Sequence, residues 1–426
     1  MRVFLAGATG FIGQHLLRGL AERGHAVTCL ARGAGAASIR AMALPGVGVL
    51  EGEFTLPESY HAHLAGHDVV INAVGIIRET VRSRFDIVHT QAPIALFEAA
   101  RSAGVRKIIQ ISALGADNQA TSRYHLSKRA ADRRLAELGV AYVVLRPSFV
   151  YGPGDHSMTF FQSLAALPIT PVPGDGQYRV QPVHVDDVVR AVVQAVERDG
   201  LREVMVDVGG AVPITFDALL DTVGTRLGKG RVWKVHIPWT VMTFAASVTD
   251  MLGGRGPITS EELAMLLRGN WTDNGPFIKL FGFEPMAFAV GMARKPIGEA
   301  ERWHARLTHL RLPLRLSIAF IWLATGFISA TVSRRQGFDL LEQIGITGPL
   351  ANLALYGTAL LEIAIGMATA VGWYVRWMGG IQIALMLGFM TFLTAGIPEL
   401  WLHPFGPLTK NIPLIAATCV MMALEE

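Results

Sequence analysis

Apolar positions follow two different rhythms along this chain. Through the first 150 residues, short β-branched runs recur between stretches of helical spacing. The runs 3–6, 26–30, 47–50, 69–73, 107–112 and 141–146 are predicted strands, and 13–23, 91–103 and 127–138 are predicted helices. Strands alternating with helices at this spacing predict an α/β fold with a doubly wound parallel sheet. Residues 151–310 are less regular, with Pro- and Gly-rich loops at 151–155 and 171–176, and read as the last sheet elements plus a small substrate lobe. From residue 316 the alternation stops. Four apolar segments follow, at 316–333, 350–373, 377–398 and 408–424. A span needs about 20 residues to cross about 30 Å of hydrocarbon. Three segments reach that length, and the fourth, shortened by Lys410, is marginal. The pattern therefore predicts an α/β domain over 1–310 followed by an all-α four-helix transmembrane bundle over 311–426.

Composition changes this picture little. At 426 residues the chain can bury two cores, and its positive mean hydropathy comes mainly from the last quarter. The net charge is only +4, and the basic residues are dispersed except in RWHARLTHLRLPLR at 302–315. Immediately ahead of the first apolar run, that stretch reads as a collar against membrane lipid rather than a nucleic-acid patch. Arg376 falls on the same side of a four-span bundle, whereas Arg334, Arg335 and Lys410 fall on the other. The balance expects a multi-pass protein of the cell (inner) membrane with a cytoplasmic N-terminal domain. Residues 2–6 run straight into a glycine loop, so no signal peptide is expected. Cys29 and Cys419 lie in different regimes and are not expected to pair, and no His/Cys cluster has metal-site spacing.

Chemistry enters at the first loop. Gly7-Ala8-Thr9-Gly10-Phe11-Ile12-Gly13 follows a predicted strand and opens a predicted helix. Missing Cβ atoms let this backbone approach a pyrophosphate, and the helix N-terminus offers free N–H groups to the anion. Gly7, Thr9, Gly10, Phe11, Ile12 and Gly13 are thus candidate dinucleotide contacts in a Rossmann arrangement. An acidic residue ending the second strand would favour NAD. The chain has Cys29-Leu30-Ala31-Arg32 there, with no carboxylate in the neighbouring sequence. Arg32, with Arg40 as a second cation, would pair with a 2′-phosphate, favouring NADP over NAD.

Tyr124 and Lys128 stand four residues apart on one helical face, and Ser112 ends the fifth predicted strand. Strand C-termini face the cofactor crevice in such a sheet. A free phenol has a pKa of about 10, and a neighbouring ammonium would lower it and favour proton exchange with a substrate oxygen. Ser112 would donate a hydrogen bond to the same oxygen. In the lobe, Arg179, Gln181 and His184 are the polar candidates for substrate contact.

The motifs GATGFIG at 7–13, INAVG at 71–75, ISALGA at 111–116, YHLSK at 124–128, LRPSFVYGPGD at 145–155 and QPVHVDDVVRAV at 181–192 together resemble one family. It is the short-chain dehydrogenase/reductase superfamily, in its extended or atypical, epimerase/dehydratase-like branch, and the resemblance covers about residues 1–295. The wording of ISALGA and RPSFVYGPGD is similar to the group of the dehydrogenase-like accessory subunit of respiratory complex I. The resemblance implies Ser112, Tyr124 and Lys128 as the catalytic triad. It also implies Pro147 and Ser148 on the nicotinamide side, and Asn72, Ala73 and Gly75 beneath the cofactor. Two positions depart from the family pattern: Glu53 stands where Asp usually contacts adenine, and His89 stands where Asn usually supports a proton relay. The tail resembles a DoxX-like membrane module in its spans, in Glu362 within the second, and in WLHPFGPLTKN at 401–411. An ionisable residue inside a span marks function by default, so Glu362 is a candidate contact to a quinone, another polar ligand or a helix partner.

These readings converge on a membrane-anchored NAD(P)-dependent oxidoreductase. Hydride would pass to or from a carbonyl or alcohol carbon of a small, apolar, lipid- or quinone-related substrate, with epimerase or dehydratase chemistry as a variant. The alternative is a non-catalytic nucleotide-binding factor that assembles or stabilises a respiratory or other membrane complex.

Overall fold

The computed structural model describes residues 1–80, 83–251, 258–294 and 297–425. The chain folds as two compact units, Met1–Ile297 and Gly298–Glu426.

The first unit is built on a seven-stranded parallel sheet. Its strands are β1 (Arg2–Ala6), β2 (Ala26–Ala31), β3 (Val47–Glu51), β4 (Val69–Asn72), β5 (Lys107–Ile111), β6 (Ala141–Pro147) and an edge strand, Val204–Val208. The spatial order is edge strand, β6, β5, β4, β1, β2, β3. The order reverses between β1 and β4, where Ala6 pairs with Asn72, and an open α/β sheet binds ligands outside that switch point. The central strands read as continuous apolar runs because both faces are covered. Val3 and Leu5 of β1 point to one layer, with Leu16, Leu17 and Leu20 of α1 (Phe11–Glu22) and Val188 and Val192 of helix Val185–Glu197. Phe4 and Ala6 point to the other layer, with Leu96 and Phe97 of α3 (Ala92–Ser102) and Ala131 and Leu135 of α4 (Arg123–Glu137).

The predicted strands match to within a residue at either end. The helices differ more. α2 (Gly33–Ala41) was not expected, and α4 starts four residues earlier than its apolar spacing suggests. Its start is set by a cap: the Ser122 hydroxyl accepts from the His125 N–H. α3 is preceded by a π-helical turn, Asp86–Gln91, which carries His89.

The second unit begins with helix Glu299–Ala330, so the basic stretch 302–315 is its first half, continuous with the apolar part. Helices Arg334–Gln343, Gly348–Val371, Val375–Gly396 and Asn411–Leu424 follow. Glu299–Ala330, Gly348–Val371 and Val375–Gly396 are long and apolar enough to cross a membrane. The fourth apolar segment forms 14 helical residues, because the loop through Pro404, Gly406 and Pro407 delays its start to Asn411. At a rise of 1.5 Å per residue that is about 21 Å, short of about 30 Å. Among the described residues, the count of spanning-length helices is thus three rather than the four expected. Helix Arg334–Gln343 was not expected either; it buries none of its residues. Close approach of helices Glu299–Ala330 and Gly348–Val371 depends on glycine: a Cβ on Gly326 would lie 2.7 Å from the Ala359 carbonyl oxygen. Glu362 lies in this contact, with one carboxylate oxygen buried and unpartnered among the described residues.

Candidate active site

The glycine loop is shaped by backbone contact. Gly7 sits at φ +90°, and a Cβ there would lie 2.7 Å from the Ala73 carbonyl carbon, while a Cβ on Gly13 would collide with the Gly7 carbonyl. The Gly10 N–H bonds the Gly7 carbonyl at 3.0 Å, and α1 then starts with no side-chain cap. Thr9 and Gly10 are exposed, with Phe11 and Ile12 half-buried behind them. The loop therefore leaves helix N-terminal N–H groups facing outward, the arrangement that receives a phosphate.

At the rim, the structure corrects one expectation. A carboxylate does lie at the end of β2. Arg32 Nη1 stands 2.5 Å from both Glu53 oxygens, and Arg40 pairs with Glu51 at 2.6 Å. β2 and β3 pair in register Ala31 to Glu51, which carries Glu53 to Arg32 across 21 residues of sequence. Either cofactor fits this rim: Arg32 offers charge to a 2′-phosphate, and Glu53 offers acceptors to ribose hydroxyls.

Around the switch point, side chains from β4, β5 and α4 meet. Lys128, 3% exposed, donates to the Val74 carbonyl at 3.2 Å and the Ile111 carbonyl at 3.3 Å, at the C-terminal ends of β4 and β5. Burial pushes its ammonium down to about 8, against a smaller opposing pull from Asp132. Gly75 makes room for it, since a Cβ there would lie 3.0 Å from Lys128 Nζ. Tyr124, one turn earlier, packs edge-on against Phe85, His89 and His125. Among the described residues nothing hydrogen-bonds its hydroxyl, and burial pushes the phenol up to about 12. The spacing alone predicts that Lys128 lowers it. Burial shifts it the other way.

Ser112 is also differently engaged. Its hydroxyl donates to Asp132 Oδ2 at 2.8 Å, and Arg146 Nε holds the same oxygen at 3.1 Å. Tyr124, Lys128 and Asp132 occupy positions i, i+4 and i+8 of α4, so this spacing was the available signal for Asp132. Burial pushes the Asp132 carboxyl up, against the pull of Arg146 and Ser112.

His89 is fully buried, and its Nε2 accepts from the Ile76 N–H at 3.0 Å. Nδ1 must then carry the proton, donating to Ser127 Oγ at 3.1 Å, which donates to the Tyr124 carbonyl at 2.7 Å. Burial first, and then the Lys128 charge, push this imidazole down to about 2. It is a neutral brace between the turn after β4 and the start of α4.

The remaining expected residues build the walls. Asn72 Nδ2 donates to Gln110 at 2.8 Å, and its Oδ1 accepts from the Val74 N–H, shaping the turn that carries Lys128's acceptor. The Ala73 N–H continues the ladder to Ala6. Pro147 accepts from the Leu114 N–H, and Ser148 donates to the Gln181 carbonyl at 2.5 Å. Gln181 is itself spent on Gly210 and Thr272, His184 caps helix Val185–Glu197, and Arg179 lies over Trp271. Sequence reasoning missed the lobe helix Ser260–Arg268, which is tied to the crevice. Glu261 accepts from the Tyr124 N–H at 2.8 Å, Glu262 pairs with Arg78, and Arg268 pairs with Asp117 at 2.6 Å.

Residues 3–209 match the NAD dependent epimerase/dehydratase family, and residues 319–419 match the DoxX-like family. The chain joins an NAD-dependent epimerase/dehydratase domain to a DoxX-like domain. The first domain is similar to ceramide reductase of Caulobacter vibrioides, 34% identical over 191 residues that cover 43% of this chain and 57% of that protein. It is also similar to the mitochondrial NADH dehydrogenase [ubiquinone] 1 alpha subcomplex subunit 9 of Arabidopsis thaliana, 31% identical over 59% of this chain and 64% of that one. The chain thus spans less than two thirds of these relatives' lengths. Its fold is also that of NADPH-dependent quinone oxidoreductase QOR2 from Escherichia coli, with a TM-score of 0.55 at 18% identity, covering 68% of this chain and 98% of that one. The epimerase/dehydratase domain therefore holds the glycine loop, Lys128 and Tyr124 within its matched residues, whereas helix Ser260–Arg268 lies beyond them.

Proposed function

We propose that the chain is a membrane-anchored NAD(P)-dependent reductase acting on the carbonyl of an apolar, lipid-like substrate. The observation that carries this reading is a proton-retaining phenol, Tyr124, one turn along α4 from Lys128, whose buried ammonium sits at the switch point of the sheet. The relatives named a ceramide reductase and a ubiquinone-linked subunit support an apolar substrate, as do the three helices long enough to span a bilayer. On this reading those helices cross the cell (inner) membrane, and the collar at 302–315, with Arg376, keeps the catalytic unit on the cytoplasmic side.

The glycine loop binds the pyrophosphate, and Arg32 receives a 2′-phosphate, which favours NADP. The bound nicotinamide supplies hydride to the carbonyl carbon. Tyr124 gives its proton to the carbonyl oxygen as that oxygen takes up charge. A phenol near 12 holds its proton at neutral pH, so the site is set for reduction more than for abstraction of an alcohol proton. Lys128 stabilises the phenolate left behind, and solvent returns the proton. Because Ser112 gives its hydrogen to Asp132, Tyr124 is the donor to the substrate oxygen, and Ser112 holds Asp132 and α4 in place.

That same Ser112–Asp132 bond favours one second reading, a nucleotide-binding factor for a respiratory or other membrane complex. The two part on isotope transfer. Full-length protein is given NADPH deuterated at C4 and a panel of long-chain ketones. The reductase reading expects deuterium on the carbinol carbon of a product; nucleotide binding without transfer to any member would favour the assembly reading.

A further inference from the structure

In the second unit, one end of the bundle holds an open cavity of about 700 Å³. Three arginines converge on it from separate places in the sequence. Arg311 and Arg315 lie one turn apart on helix Glu299–Ala330, and Arg376 opens helix Val375–Gly396. Among the described residues, the Glu425 carboxylate answers two of them. Glu425, 6% exposed, pairs with Arg311 at 2.5 Å and with Arg315 at 3.0 Å. Both of its oxygens are thereby occupied, and among the described residues no acidic group pairs with Arg376. Arg315 Nε is buried and lacks a hydrogen-bond partner among the described residues. A buried guanidinium donor left unmade is costly, so this atom is a place where an acceptor would be held.

The surroundings narrow what that group is. Gly372, at φ +78°, closes helix Gly348–Val371, and a Cβ there would lie 2.9 Å from an Arg315 Nη atom. This turn keeps the guanidinium against the backbone and open to the cavity. Tyr374 and Trp377 form the rest of the rim, and Arg315 is the last charge before the uncharged run at 316–333. Aromatic rings and arginines at the ends of apolar helices belong at the level of lipid headgroups. A guanidinium fork matches phosphate oxygens, and Arg376 together with the open Arg315 Nε offers such donors to an anion.

We propose that this cavity binds a phosphate group, supplied by the headgroup of an anionic phospholipid whose acyl chains lie along the apolar faces below. A headgroup carrying an amine is disfavoured, because the cavity's carboxylate is already occupied by two arginines. The proposal rests on the reading of these helices as membrane-spanning, and not on any catalytic assignment.

Native mass spectrometry of the full-length protein, in neutral-detergent micelles doped with phosphatidylglycerol or phosphatidylcholine, tests it. Wild type is expected to retain phosphatidylglycerol at least about tenfold better, the size of one charge-assisted hydrogen bond. Arg376→Gln leaves the Glu425 pairs intact and is expected to remove most of that preference, whereas Arg334→Gln with Arg335→Gln is expected to leave it unchanged. Equal retention of the two lipids by wild type would overturn the proposal, as would an Arg376→Gln preference equal to wild type. A third arm identifies the source: millimolar inorganic phosphate is expected not to displace the lipid. Full displacement would overturn the lipid assignment in favour of a soluble phosphate.

Discussion

Two buried lysines stand at opposite ends of β5, and they are held differently. Lys107, at the amino end, donates to the Ala195 and Arg198 carbonyls, both at 2.8 Å. These carbonyls end helix Val185–Glu197, where a cation also meets the negative end of the helix dipole. Lys128, at the carboxyl end, has two longer bonds to carbonyls of two strands. Burial lowers both ammonium groups below the ordinary lysine value. The first completes a helix terminus; the second keeps donor capacity and a proton that it loses near pH 8. The amino end of this sheet spends charge on structure, and the carboxyl end holds it ready for a ligand.

The largest effects should separate these lysines. Lys128→Met is expected to lower kcat/KM for NADPH-dependent ketone reduction by about a thousandfold, within the range of general acid–base contributions. The melting temperature should fall less than for Lys107→Met, because the Lys128 bonds, at 3.2 and 3.3 Å, are longer than those of Lys107. Lys107→Met should do the opposite, leaving kcat unchanged and lowering stability by about 1–3 kcal/mol through two orphaned carbonyls, read by denaturant unfolding. If both variants lose activity alone, or stability alone, the contrast fails.

Next comes pH. The buried His89 has a folded pKa of about 2, below its unfolded value of about 6.5. Below about pH 6.5 the unfolded chain binds the proton and the folded one does not. Stability from this group is therefore full above about 6.5 and falls by about 1.4 kcal/mol per pH unit as the solution is acidified. Thermal unfolding of His89→Asn between about pH 4 and about pH 7 should show a shallower acid slope than wild type. Lys128 acts on activity at the alkaline side, where kcat should decline above about 8 as the ammonium is lost.

The smallest pair of effects lies at the surface. Arg23 and Arg32 both sit in exposed ion pairs, Arg23 with Glu197 at 2.9 Å and Arg32 with Glu53. Arg23→Ala should leave stability, activity and cofactor affinity essentially unchanged. Arg32→Ala should raise KM for NADPH by about tenfold and leave KM for NADH unchanged, the loss of one charge-assisted contact. Equal effects on both cofactors would assign Arg32 to the rim's structure instead.

Much of this was legible along the chain. The strands announced themselves because a parallel sheet buried on both faces needs unbroken β-branched runs. The glycine loop and the spacing of Tyr124 and Lys128 are local features that survive in one dimension. What escaped depends on neighbours far away in sequence. Glu53 reaches Arg32 only through the β2–β3 register, and Tyr124 packs against rings from residues 85, 89 and 125. Ser112 turned out to face Asp132 because α4 presents that carboxylate over the end of β5. Helix Ser260–Arg268 left no chemical motif, since its contacts to Tyr124, Arg78 and Asp117 are set by tertiary packing.

The central claim is that Tyr124 hands a proton to substrate from this site. Full-length wild type and Tyr124→Phe should be compared side by side, with turnover read by NADPH oxidation on a responsive long-chain ketone and cofactor affinity read by nicotinamide fluorescence. Turnover is expected to fall by about a thousandfold while the Kd for NADPH stays within about twofold. Wild-type turnover in the phenylalanine variant would contradict it.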